Sequence, residues 1–372
     1  MIKSRIVILG AGFAGLSAAR YLCSHRERVD VTIVDKYENT HFRPLIPDVI
    51  SRTVRGSSLL GSLLAAKERF GFSLFCEPVT GVSLSKQEIE LRERRLQFDI
   101  LIAAIGSQTA FPPTDQFRRY ALRLDTVHDA NRVRDLVLSK GYRNVVVCGG
   151  GYTGVEAASH VGRLIRESGS AAKVTIAEML PTLLNSLPQW MQQYAASNLE
   201  TMGCRLMVST KVVDIAERQV HLSNGDCIDD ALCIWTTGLV PPEITRSLNV
   251  PTIRGRIQVD RTLRFTENCF AAGDVACLSH YPSCLRPSIW AAVGQGKRAA
   301  RNAVAALQGK SLEHYIPNDP GQIIPMANGK SCGEIFGLPI RGKCATMLHY
   351  IFSAYWSPGV CSKVGILKAA SK

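Results

Sequence analysis

Arg5-Ile6-Val7-Ile8-Leu9-Gly10-Ala11-Gly12-Phe13-Ala14-Gly15-Leu16 carries the strongest structural signal in the chain. Its first five residues, rich in β-branched side chains and without polar alternation, predict a strand buried on both faces. Each glycine that follows meets a separate demand. Gly10 permits a tight turn, Gly12 lets the backbone approach a pyrophosphate, and Gly15 lets helix and strand pack closely. Residues 16–23 have helical character, and a helix N-terminus offers N–H groups and a positive dipole end to phosphate. Residues 29–34 predict a second buried strand, ending at Asp35. A carboxylate about twenty residues beyond the last glycine can accept hydrogen bonds from ribose hydroxyls. Strand, turn, helix, strand and acid together make a βαβ unit of about thirty residues.

The same plan returns downstream. Residues 144–147 predict a strand, Gly149-Gly150-Gly151-Tyr152-Thr153-Gly154 the turn, 155–168 a helix, and 173–177 a strand ending at Glu178. Gly149, Gly151 and Gly154 keep the spacing of Gly10, Gly12 and Gly15. A carboxylate at Glu178 suits a ribose 2′-OH and repels a 2′-phosphate, so NADH is expected over NADPH. This is a duplicated nucleotide-binding plan rather than a short-period repeat array. Between and after the two units lie turn-rich, β-branched pieces. Residues 74–105 close on Leu101-Ile102-Ala103-Ala104-Ile105-Gly106, and residues 206–238 close on Cys233-Ile234-Trp235-Thr236-Thr237-Gly238. Phe270-Ala271-Ala272-Gly273-Asp274 precedes a helix-like stretch at 289–307. The expected fold is α/β, with two Rossmann-like dinucleotide-binding domains and a small C-terminal segment.

Composition narrows the options. The 372 residues are 46% hydrophobic and 20% charged, ordinary for a folded soluble chain. A formal charge of +13 suits anionic partners such as phosphorylated cofactors or a membrane surface. No zinc-finger spacing, basic heptad region or aromatic RNA-binding signature accompanies it, so nucleic acid is not expected, nor is a metal. Twelve cysteines are spread from Cys23 to Cys361 without a CxxC or CxxxxC. Without an export signal, reduced thiols in a cytosolic setting are expected. No apolar run reaches the length of a membrane span.

With these motifs in place, the chain resembles the FAD- and NAD-linked (pyridine nucleotide-disulfide) flavoproteins, and among them the type II NADH:quinone oxidoreductases. The resemblance runs over roughly residues 5–340, through both glycine loops, His41-Phe42-Arg43-Pro44-Leu45, residues 98–107, Trp235–Gly238 and residues 270–276. It implies that residues 1–112 and 250–320 form an FAD-binding domain, with an NAD(H)-binding domain, 113–249, inserted within it. Residues 321–372 would form a C-terminal membrane-contact or dimerisation segment. By the same resemblance Gly10, Ala11, Gly12, Phe13, Ala14 and Gly15, with Asp35 and Lys36, hold the ADP part of FAD. Gly273 and Asp274 meet its ribityl–pyrophosphate side, Arg43 lies along the flavin, and Val79 reaches the adenine through its backbone. Gly106 and Gly238 are also cofactor-binding, while Gly149, Gly151, Gly154 and Glu178 bind NADH. Glu156, at the start of the second helix, is implied in proton transfer; a shielded carboxyl has the raised pKa that role needs.

One departure from the pattern concerns the electron acceptor. Type II enzymes carry an alanine–glutamine motif near the quinone. Here Trp290 stands where the glutamine is expected, with Gln295 following, and both are assigned to the quinone side. A tryptophan there could flank a quinone by stacking or could close the site. Two alternatives stay open: a sulfide:quinone oxidoreductase using Cys148 and Cys332 (with Cys344 a further candidate), and a redox-switch flavoprotein resembling apoptosis-inducing factor. The stretch Met347-Leu348-His349-Tyr350-Ile351-Phe352-Ser353-Ala354-Tyr355-Trp356 is aromatic, apolar and flanked by Arg341, Lys343, Lys363 and Lys368. Such a segment suits the headgroup layer of an anionic membrane or a homodimer contact. The expected location is cytoplasmic, peripheral on the inner face of the cell membrane.

Overall fold

The computed structural model describes residues 3–139, 141–281, 284–357 and 359–370. It divides into two compact units. The first comprises Met1–Thr40, Ser62–Gln108 and Leu239–Asp319; the second comprises His41–Gly61, Thr109–Gly238 and Pro320–Lys372. The segment around Arg43 and the chain from residue 320 therefore belong to the same unit as the second glycine loop.

The first unit is built on a six-stranded sheet. From edge to edge its strands are Arg264–Thr266, Cys269–Ala271, Ile100–Ala103, Ser4–Leu9, Val29–Asp35 and Ser73–Cys76. All neighbours run parallel except the antiparallel edge hairpin Arg264–Thr266 with Cys269–Ala271. Ile6, Ile8, Ile33, Leu101, Ile102 and Phe270 are fully buried, as expected for strands covered on both faces. The helix Phe13–Cys23 packs on the helix Ile289–Leu307. That approach needs Gly296, where a Cβ would run into the backbone of Ala14.

The second unit repeats the scheme with five parallel strands in the order Ala121–Leu122, Ala231–Trp235, Asn144–Cys148, Lys173–Ala177 and Cys204–Met207. Its glycine loop feeds the helix Tyr152–Ser168, which packs against Ile46–Ile50 and Val127–Leu138. A three-stranded antiparallel sheet, Gly321–Ile324, Ser331–Ile335 and Leu338–Arg341, precedes the helices Gly342–Trp356 and Val360–Ala370. In both units the loop follows a central strand flanked by neighbours on either side, the place where open parallel sheets present ligand crevices.

One sequence expectation is corrected. Cys277 and Cys284 form a disulfide in the first unit, with Cα atoms 4.9 Å apart. Neither belongs to a CxxC or CxxxxC spacing. Cys277 lies in the strand Ala276–Leu278, and its partner follows seven residues later.

Candidate functional site

The two glycine loops are near copies in atomic detail. Gly10 and Gly149 have φ of +93° and +107°, a left-handed conformation that favours glycine. Their amides donate to Val34 O and Ala177 O, each at 2.8 Å, so each turn hangs from the neighbouring strand. At Gly15 and Gly154 a Cβ would run into the carbonyl oxygen of Gly10 or Gly149 respectively. At Gly12 and Gly151 it would meet nothing. These two positions are open on the ligand side while their flanking glycines are closed by protein.

Each following helix begins at the middle glycine of its loop, and neither start carries a side-chain cap. First-turn amides of an uncapped helix are suited to phosphate oxygens. The acids match as well. Asp35 accepts the Ala11 amide at 2.7 Å through one oxygen and the Tyr37 amide at 2.9 Å through the other. Glu178 accepts the Gly150 amide at 2.5 Å and the Leu180 amide at 2.8 Å in the same two-handed way. A carboxylate oxygen with one such bond keeps a lone pair for a ribose hydroxyl. The residues present therefore fit one dinucleotide at each loop: an open glycine for the pyrophosphate, an uncapped helix start and a held carboxylate.

The remaining expected residues fall into place unequally. In the first unit Asp274 accepts a hydrogen bond from Ser107 at 2.8 Å, and Gly273 sits at φ +80° beside it. Ser107 is a partner the motif reading did not assign. Gln295, expected on the quinone side, is buried, and its side-chain oxygen accepts the Gly273 amide at 2.7 Å. Its observed job is to brace the Gly273–Asp274 turn. Trp290, the second residue of the same helix, is 40% exposed. Val79 lies in the coil after the strand Ser73–Cys76, partly buried against the first core, and Lys36 follows Asp35 at the end of the strand Val29–Asp35. Gly106 has φ of +67°. In the second unit Gly238 has φ of +74°, and Arg43 opens a short 3-10 turn.

Around Glu156 the structure shows a cluster that the motifs did not announce. Glu156 and His160 lie one turn apart on the same helix. The buried His160 places Nδ1 2.7 Å from Ser51 Oγ and Nε2 3.7 Å from Asp48 Oδ2. Asp48 is only 1% exposed and accepts the Tyr350 hydroxyl proton at 2.6 Å. Ser51 and Thr53 share a hydrogen bond of 2.8 Å, and Arg163 reaches the Ala327 carbonyl at 3.3 Å.

The electrostatics follow from this enclosure. Burial lifts Asp48 to about 7, against the opposing pull of the Tyr350 hydrogen bond. Glu156 is held well above the usual carboxylate range, first by burial and then by the negative charge of Asp48. Burial, helped by Arg163 and His349, pushes His160 down to about 3. The His160–Asp48 approach is therefore not an ion pair at neutral pH. A sequence sign existed: Asp48 is the lone acid in the apolar run Leu45–Ile50, and His160 interrupts a helix face of alanine, valine and glycine.

Cys148 and Cys332 are both free, buried cysteines. Cys148 Sγ lies 3.4 Å from Cys233 Sγ inside the parallel sheet, and burial raises the Cys148 thiol well above its ordinary value. Cys332 is buried in the strand Ser331–Ile335 and is pushed up to about 12. Both are thus thiols rather than nucleophilic thiolates.

A family model described as pyridine nucleotide-disulphide oxidoreductase matches residues 4–308. A type II NADH:quinone oxidoreductase of Staphylococcus aureus is 23% identical over 379 residues, covering 94% of this chain and 94% of that protein. The demethylphylloquinone reductase NdbB of Synechocystis is 24% identical, covering 96% and 93%. Among solved structures, NDH2 from Plasmodium falciparum in complex with NADH has a TM-score of 0.88 at 16% identity. It covers 100% of this chain and 98% of that one.

Proposed function

The chain belongs to the pyridine nucleotide-disulphide oxidoreductase family, and from that premise we propose that it is a type II NADH:quinone oxidoreductase. FAD sits on the first loop, and NADH docks on the second. FAD, when bound, supplies the two-electron chemistry, taking hydride from NADH and giving electrons to a quinone. The protein positions the reactants. Gly12 and the uncapped helix start receive the FAD pyrophosphate, Asp35 the adenine ribose, and the Ser107–Asp274 pair its ribityl–pyrophosphate side. Gly151 and Glu178 do the same for NADH, and Glu178 disfavours a 2′-phosphate. Glu156 holds a proton on its carboxyl for the quinone. The observation that carries this reading is the pair of matching loops, each with its own sheet, open glycine and clamped carboxylate. The names and the near-full-length match of the relatives support the acceptor assignment.

The C-terminal helices favour a peripheral membrane position at the inner face of the cell membrane. Among the described residues no helix is long and apolar enough to cross a membrane. Met347, Ile351 and Tyr355 are exposed at intervals of four on one helix, and Val360, Val364 and Leu367 are exposed on the next. Lys343 and Lys363 stand close by in sequence, so the apolar face has cationic neighbours for anionic headgroups.

Anaerobic titration tests the function. NADH should bleach the flavin at much lower concentration than NADPH, sulfide should leave it oxidised, and a soluble quinone should restore the colour. Bleaching by sulfide, or reduced flavin that no quinone re-oxidises, would sink the reading. For the tail, binding to phosphatidylglycerol vesicles should be lost in Ile351→Glu with Tyr355→Glu. Unchanged vesicle binding with a broken oligomer would point to a homodimer contact instead.

A further inference from the structure

NADH oxidation by a quinone consumes one proton from solution: NADH, quinone and H⁺ give NAD⁺ and quinol. The hydride carries two electrons and one proton, so the second proton needs a route through the protein. Glu156 is partly buried, and Asp48, His160 and Tyr350 of the same unit are not among the residues assigned to either dinucleotide.

We propose that Asp48, held by Tyr350 and facing His160 one helical turn from Glu156, is an internal proton donor that recharges Glu156 during quinone reduction. The inference rests on the quinone reading above. No electrons move in this step. A proton from solution goes to an Asp48 carboxylate oxygen, from there to the Glu156 carboxylate, and finally to a quinone oxygen, leaving Asp48 to be protonated again.

The geometry is that of a built device rather than a stray buried acid. Asp48 is carried by the short helix Ile46–Ile50, Glu156 and His160 by Tyr152–Ser168, and Tyr350 by Gly342–Trp356. Three elements far apart in sequence thus converge on one carboxyl. An isolated buried carboxylate is costly and is tolerated where its partners are also polar and placed. Tyr350 faces Asp48 from one side and the neutral His160, itself bonded to Ser51, from another, while the charge of Arg163 acts on Asp48 and the charge of Asp48 acts on Glu156. His349, beside Tyr350, has a buried Nε2 without a hydrogen-bond partner among the described residues, and burial pushes it down to about 4. Neither histidine holds the proton at neutral pH. Asp48, lifted to about 7, is about half protonated there, the condition in which a proton donor is most effective.

Asp48→Asn and Tyr350→Phe in the FAD-loaded protein test this. Asn keeps a partner for Tyr350 and cannot pass a proton. In Asp48→Asn, flavin reduction by NADH should stay within about twofold of wild type, while re-oxidation by quinone should slow by about tenfold and lose its pH limb near 7. In Tyr350→Phe the limb should persist and move to higher pH, because the lost hydrogen bond favours ionised Asp48. The infrared C=O stretch of a protonated carboxyl should titrate near pH 7 in wild type and be missing from Asp48→Asn. Both variants keeping the wild-type limb and band overturns the proposal, as does an equal slowing of both half-reactions in Asp48→Asn. A wild type that NADH bleaches but quinone does not re-oxidise overturns the quinone reading, and this proposal falls with it.

Discussion

The helices behind the two glycine loops differ far more than the loops do. The first, Phe13–Cys23, buries Ala14, Gly15, Ala18, Ala19, Leu22 and Cys23, an apolar face of small residues pressed on its neighbour helix. The second, Tyr152–Ser168, carries Glu156, Ser159 and His160 on or beside its buried face. Backbone geometry in the loop sets what can bind. The helix behind it sets whether the site only holds a ligand or also handles protons. The first helix suits a ligand that stays, and the second a ligand that comes and goes while protons move nearby.

The largest effect should come from closing the glycine contacts that both loops share. Gly15→Ala forces a methyl group into the Gly10 carbonyl, and Gly154→Ala does the same at Gly149. Backbone, unlike a flexible side chain, cannot step aside cheaply. Gly15→Ala should yield protein without flavin. Gly154→Ala should keep its flavin, seen in the absorption spectrum, and lose NADH bleaching. Identical defects in the two variants would erase the distinction between the sites.

A smaller change should follow from the acid of the second loop. Glu178→Ala removes the acceptor for the Gly150 and Leu180 amides and for a ribose hydroxyl. NADH should bind about tenfold more weakly, the equivalent of about 1.4 kcal/mol, with the gap to NADPH narrowed. Flavin content should not change. A preference for NADH that survives intact would remove Glu178 from the recognition of the ribose.

The smallest expected signal distinguishes the second helix by its linkage to pH. Asp48 ionises at about 7 in the folded protein and near 3.8 as an unperturbed carboxyl. Its contribution is therefore fully present below about pH 4 and is lost as pH rises through 7. The full span is at most about 4 kcal/mol. His160 and His349, held neutral, have the opposite sense: their contribution is present above about 6.5 and lost as pH falls towards 3 to 4. Urea denaturation at pH 5 and pH 8 should show Asp48→Asn gaining stability relative to wild type at the higher pH. An unchanged difference at the two values would place the ionisation of Asp48 elsewhere.

What could be read from sequence was what local stereochemistry dictates. A strand ending in Gly-x-Gly-x-x-Gly and a helix leaves few other folds, so both loops, both acids and the parallel sheets follow from contiguous residues. Gln295 shows where this stops: its place on the helix was readable, but its side chain turns to the Gly273 amide, a contact across 22 residues. The Asp48 cluster lay further out of reach. Tyr350 meets Asp48 across 302 residues and His160 meets Ser51 across 109, and no spacing rule connects them. The Cys277–Cys284 bond likewise joins residues seven apart, a separation that matches neither CxxC nor CxxxxC.

The most direct test uses the two positions where a methyl group meets no protein atom. Gly12→Ala and Gly151→Ala leave the fold unstrained and fill only the space meant for a pyrophosphate. Flavin per chain and NADH-dependent bleaching should be measured on both, beside wild type. Gly12→Ala should remain folded and lose most of its flavin; Gly151→Ala should keep its full flavin and require at least about tenfold more NADH, the cost of a lost ligand contact. Flavin lost from Gly151→Ala and retained in Gly12→Ala would contradict the assignment of FAD to the first loop and NADH to the second.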